Sequence, residues 1–181
     1  MTLENPTYCQ CLSSQTNGLL IQANQWLEHN LYGYSPIFLR LILAYEFAEA
    51  GLEKLHGENW FANLAFPFPF NLLSAEASWN LSMGLELIGP LALILGLATR
   101  FFSVALMVLT VVAIAAVHWP AEWHTLGELW QGYTITDKGF GNYKLPLLYL
   151  LMLASLFFSG AGHLSLDYWL SCDWPKTGHT N

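Results

Sequence analysis

Pro36-Ile-Phe-Leu-Arg40-Leu-Ile-Leu-Ala-Tyr-Glu46-Phe-Ala-Glu49-Ala-Gly-Leu-Glu53-Lys54-Leu55 is apolar apart from three acids, Arg40 and Lys54. As a helix this stretch reaches about 30 Å, the thickness of a bilayer's hydrocarbon core. The three glutamates fall at i, i+3 and i+7, so they share one helical face. A carboxylate inside hydrocarbon costs several kcal/mol unless it is paired, protonated or facing water. Retaining a row of acids in such a helix points to use.

Outward from this stretch the chain stays apolar. Its 181 residues are 54% hydrophobic and only 10% charged, against about 25% charged in soluble domains. Three further apolar segments follow, from Leu72 or Ala77 to Ala98, from Phe101 to Val117, and from Leu145 to Gly162. Each approaches the length of a bilayer span. The expected fold is all-α: an integral membrane four-helix up-down bundle with a short N-terminal interfacial helix. That short helix is read over Gly18–Leu31 from the spacing of Leu19, Leu20, Ala23, Trp26, Leu27 and Leu31. The chain then divides into a tail and interfacial helix (1–35), a four-helix domain (36–163) and a C-terminal tail (164–181).

The connections are unequal. Ala98-Thr99-Arg100 is a tight turn, whereas Gly57–Asn71 and His118–Lys144 are long and fall on the other side. The first long loop holds Phe66-Pro67-Phe68-Pro69-Phe70, which cannot continue a helix. The second holds Trp119, Trp123 and Trp130, suited to the membrane interface. Lysines and arginines are balanced between the two sides; Arg40 and Arg100, nearest the helix ends, tilt the reading towards cytoplasmic termini. Met1–Gln25 has no basic residue and only a short apolar stretch, so the first span is expected to direct insertion.

The net charge of −7 excludes a nucleic-acid-binding surface and a polybasic lipid patch. Cys9, Cys11 and Cys172 are odd in number, so they cannot form a complete disulfide framework. Cys9-Gln-Cys11 suits a soft metal by type, but two free thiols on a tail is the plainer reading. No dinucleotide fingerprint, P-loop, nucleophile elbow or HExxH is present, and no metal-ligand set is assigned.

The candidate chemistry lies in the acids. If the first two helices form an antiparallel hairpin, Glu46 and Glu86 lie near one level. Two carboxylates there can share a proton, suiting proton transfer linked to a redox partner; the structural alternative is a pair of neutral groups that specify packing. Glu49 is an intermediate member of the acid row. Pro90 removes the helical N–H that the Glu86 carbonyl would accept and is expected to kink the helix. At the long-loop mouth, Lys54 is read as an ion-pair partner of Glu76 or Glu53. His118, with His56 or Glu76, is read as a mouth residue for a metal or a quinone oxygen, against the plainer reading of an amphipathic interfacial histidine. Arg40, at the opposite mouth, is a further candidate binding residue that snorkels to lipid phosphates or reaches Glu46. His163, Asp167, Tyr168 and Trp169 read as an interfacial belt.

Arg40-Leu-Ile-Leu-Ala-Tyr with Ala50-Gly-Leu-Glu-Lys54-Leu55, and then Glu86-Leu-Ile-Gly-Pro-Leu-Ala-Leu-Ile-Leu-Gly96-Leu-Ala-Thr-Arg100, resemble the first and second helix patterns of DoxX-type membrane proteins. The likeness covers most of residues 36–163. Pro67-Phe-Pro69, Val117-His118-Trp119 and Ser165-Leu-Asp-Tyr-Trp-Leu170 further resemble an HvfX-like branch. The resemblance implies a four-helix inner-membrane protein with cytoplasmic termini. For the wider family it implies membrane oxidoreductase complexes and thiosulfate:quinone chemistry. For the branch it implies systems that make modified, copper-binding peptides. The leading expectation is a component of a quinone-linked membrane redox system, with Glu46, Glu49 and Glu86 inside and Arg40, Lys54, Glu76 and His118 as candidate binding residues. The alternative is a non-enzymatic transport or docking protein in copper or sulfur stress. Expected partners are membrane lipids and redox or peptide-modifying proteins, with oligomerisation left open.

Overall fold

The computed structural model describes residue 22 and residues 32–120, 122–132 and 141–172. The interfacial helix expected over 18–31, apart from Gln22, and the CxC pair lie outside the described residues. Among the described residues all regular elements are helical. The helices are α1 (Ser35–His56), α2 (Ala75–Leu95), α3 (Thr99–Ala113, continued by a π turn at Ile114–His118), α4 (Leu126–Gln131), α5 (Lys144–Ser159) and α6 (Leu166–Cys172). Short 3₁₀ turns at Phe61–Asn63 and Phe70–Leu72 shape the first long loop.

Two of these helices, α2 and α3 with its π turn, are long and apolar enough to cross a membrane. α5 is equally apolar but shorter, at 16 residues. α1 has 22 residues, yet its five charged side chains take it out of the purely apolar class. The four long helices close a ring of contacts, α1 on α2, α2 on α3, α3 on α5 and α5 on α1. Their inner stripes meet in one core of Leu43, Ala44, Phe47, Leu93, Leu106, Leu153 and Leu156.

The α2–α3 hairpin is set locally. Gly96 takes a left-handed conformation (φ 65°). The Leu97 and Gly96 amides fold back onto the Ala92 and Leu93 carbonyls at 2.9 and 3.2 Å, a Schellman ending that glycine permits. The turn therefore lies at Gly96–Ala98, two residues earlier than the sequence suggested, because Gly96 stops α2 and Thr99 already begins α3.

Asp167 holds this turn from outside. Its two carboxylate oxygens accept the Ala98 and Thr99 amides at 2.7 and 2.9 Å, and its own amide donates to the Gly96 carbonyl at 2.9 Å. Asp167, read as part of a loose interfacial belt, is instead the N-terminal cap of α3, and it offsets the strain of Ala98 in a left-handed conformation (φ 47°). Replacing Asp167 by alanine is expected to destabilise the protein by about 1–2 kcal/mol. Thermal unfolding in detergent measures this; an unchanged midpoint would remove Asp167 from the account of the turn.

Arg40 is the largest departure from expectation. It neither snorkels nor reaches Glu46: its side chain is 1% exposed. Its guanidinium donates to the Leu93 and Ile94 carbonyls, both at 2.6 Å, and to the Ala161 and Leu164 carbonyls at 2.9 and 2.7 Å. It thereby caps the end of α2 and binds the segment after α5, where carbonyls lack helical partners and the helix dipole favours a cation. Arg40 is a structural tie at the end of the bundle away from the acids.

Candidate functional site

At the other end, α1, α2, α3 and α5 surround a cavity of about 370 Å³. Its wall is chiefly apolar, with Leu81 and Leu85 from α2 and Ala105, Val108, Leu109 and Val112 from α3. Over its mouth the first long loop folds as an aromatic lid. The Phe61 ring lies 4.9 Å from Trp60, 5.0 Å from Trp79 and 5.2 Å from Phe66, and Phe61 is buried. The aromatic–proline stretch was legible as a helix breaker; its rings form this cover.

Charged side chains enter this chiefly apolar space from α1 and α2. The Lys54 ammonium donates to a Glu86 carboxylate oxygen at 2.6 Å, with side chains only 13% and 9% exposed. This ion pair replaces the expected one between Lys54 and Glu76 or Glu53. Glu53 and Glu76 are exposed, Glu76 on the first turn of α2. Glu46 also lines the cavity but has its own partner, accepting a hydrogen bond from the Tyr149 hydroxyl. Each of the two carboxylates is thus satisfied by a different side chain.

The register explains why. α1 and α2 come close at Gly51, where an added Cβ would come within 2.9 Å of the Glu86 carbonyl carbon and oxygen. Gly51, not Glu46, is thus opposite Glu86, and Lys54, roughly one turn further along α1, swings back to it. The Glu86 carbonyl is the one Pro90 deprives of its helical donor. It packs against Gly51 rather than opening a polar site, and the helix continues through Pro90 to Leu95.

The remaining expected residues divide. His118 lines the cavity from the π turn, and its Nδ1 lies 2.6 Å from the Asn142 side-chain oxygen. A π turn shifts side-chain direction from the α pattern, a device frequent at functional sites. Glu49 is exposed and does not line the cavity. His56 bonds the Leu52 carbonyl in its own helix. Among the described residues no group of three or more His, Cys, Asp or Glu could hold a metal ion.

Sequence reading missed Tyr149, Ser78, Ser82 and Thr110, all of which line the cavity. Ser82 and Thr110 satisfy their hydroxyls on the Trp79 and Leu106 carbonyls. Ser78 is 8% exposed, and its Oγ has no hydrogen-bond partner among the described residues. A second cavity, of about 780 Å³, lies at the Arg40 end, but Asp167 on its wall is committed to the α3 cap.

The protein thus holds a chiefly apolar chamber within a helical bundle, walled in part by two helices long and apolar enough to cross a membrane and carrying a buried ion pair. Residues 35–119 match the DoxX family, which takes in α1, α2, α3 and its π turn and hence Glu46, Lys54, Glu86 and His118. The chain is also 46% identical over 137 residues to an uncharacterized protein of Haemophilus influenzae (strain Rd), covering 75% of this chain and 82% of that protein. Residues 35–119 of the chain are thus a DoxX-family region. No solved structure matches it.

Proposed function

We propose that the protein is a four-helix, up-down component of the inner membrane, with both termini in the cytoplasm, serving a quinone-linked redox system. In this reading α1 and α5 cross the bilayer beside α2 and α3. Internal pairing of Arg40, Lys54 and Glu86 is what supports so charged a helix as α1 in hydrocarbon. The observation that carries the functional reading is the Lys54–Glu86 pair on the wall of a chiefly apolar cavity. Apolar walls with a few convergent polar groups are the usual make-up of a small-molecule site.

The residues fit a quinone. The cavity volume admits a ring-sized headgroup, and the unpartnered buried Ser78 hydroxyl is a donor awaiting an acceptor. A bound quinone supplies two-electron, two-proton redox chemistry. Lys54 and Ser78 would donate to its carbonyl oxygens. Glu86 would hold or release a proton against the Lys54 ammonium, and Tyr149 with Glu46 would provide a second proton-carrying pair. The aromatic lid would keep water out. Electrons would come from a partner redox protein.

Purified protein in lipid nanodiscs, titrated with decylubiquinone, tests this through the fluorescence of Trp60 and Trp79. Saturable quenching, weakened by Glu86→Gln, is expected; no quenching beyond that of an unrelated membrane protein would contradict it. The alternative, a transport or docking role in copper or sulfur stress, draws on the HvfX-like motifs and on His56, His118 and Glu76. His56 and His118 have separate partners and Glu76 is exposed, so the geometry favours the quinone reading.

A further inference from the structure

The consecutive helices α2 and α3 part company along their length. Beside their turn they are in close contact: an added Cβ at Gly89 would lie 3.2 Å from the Leu106 methyl groups. Every α2 residue on the cavity wall, Ser78 to Glu86, lies on the far side of Gly89 from the turn. The α3 residues on the wall begin at Ala105 and run outward to His118. The cavity thus starts where the Gly89–Leu106 contact ends and occupies the widening angle between the helices. Its rim is half open: Leu81 is 48% exposed and Val108 45% exposed, and both line the cavity. Both lie on the two helices long and apolar enough to cross a membrane, so with α2 and α3 spanning the bilayer this opening would face lipid; at the long-loop end Trp60, Leu73 and Val117 are likewise half open, at 45%, 43% and 43%.

We infer that the gap between α2 and α3 is a lipid-side portal. A ligand dissolved in the bilayer enters through it head first. Its polar head stops at Lys54 and Glu86, while its apolar chain stays between Leu85 and Val108 and runs out past Leu81 into lipid. The occupant is an amphiphile with a small hydrogen-bonding head and a hydrocarbon chain. The route rests on the geometry of the gap and on α2 and α3 crossing the bilayer; the identification of the head as a quinone rests on the function proposed above.

Two measurements separate these claims. Spin labels are placed singly at Leu85, Val112 and the exposed Ile88 of nanodisc-embedded protein whose Cys9, Cys11 and Cys172 are serine. Collision with oxygen, which partitions into lipid, is compared with collision with a water-soluble nickel chelate. At Leu85 and Val112 oxygen access approaching that at Ile88, with little nickel access, is expected. Labels shielded from both reagents, or reached mainly by nickel, would overturn the portal whatever the ligand. Decylubiquinone and its tail-less ring analogue are then titrated against wild type and Val108→Trp. The tryptophan is expected to weaken decylubiquinone binding by about tenfold or more while leaving the tail-less ring within about threefold. Equal effects on both, or on neither, would overturn the placement of the chain. Failure of either quinone to bind wild type would instead count against the proposed function, leaving the portal to stand or fall on the spin-label result.

Discussion

Arg40→Lys is expected to destabilise the folded protein by about 3 kcal/mol or more, although it preserves the charge. The guanidinium reaches four carbonyls from two parts of the chain at once, Leu93 and Ile94 at the end of α2, and Ala161 and Leu164 beyond α5. A planar fork can do this; an ammonium with three donors on a single nitrogen cannot span the same acceptors. The lysine variant would leave a buried charge with fewer partners and a helix end with orphaned carbonyls, of which those of Leu93 and Ala161 lie in buried bonds that water does not readily replace. Size-exclusion profiles and thermal midpoints in detergent read the outcome. A lysine variant as stable as wild type would show that one or two of the four bonds suffice.

The second large effect concerns the ion pair. Glu86→Ala is expected to cost about 3–5 kcal/mol, because it strands the Lys54 ammonium among apolar side chains. Replacing both partners with apolar residues of similar size, Lys54→Met with Glu86→Leu, is expected to return stability to within about 1–2 kcal/mol of wild type. Burying two charges gains little that a well-packed core would not supply. If the pair is dispensable for folding, its presence is explained by what it does for a ligand. A double variant as unstable as Glu86→Ala would mean that the pair is chiefly a packing device.

The sequence exposes some of this and conceals the rest for identifiable reasons. The α2–α3 hairpin is legible because two apolar runs flank a glycine that can end a helix, and the displacement of its turn by two residues follows from that glycine. The importance of Glu86 is legible because an acid in an apolar run demands a partner. The partner itself is not. Level-matching across the first hairpin assumed a symmetric connection, whereas the register is fixed by Gly51, whose missing side chain admits the Glu86 backbone. That shift takes Glu46 away from Glu86 and brings Lys54 to it. The role of Arg40 is hidden more deeply: its acceptors are main-chain carbonyls, which every residue has, so no side-chain pattern announces them. Tyr149 escapes for a related reason. Its partner is on α1, and the closure of the ring by α5 cannot be read from spacing along the chain.

The account rests on the Lys54–Glu86 pair serving a ligand rather than the fold, and one comparison addresses this most directly. Decylubiquinone is titrated into nanodiscs of wild type and of the Lys54→Met, Glu86→Leu double variant, with the thermal midpoint of each taken from the same preparation. A double variant that melts close to wild type but has lost saturable binding is the predicted result. Undiminished binding by an equally stable double variant would contradict it.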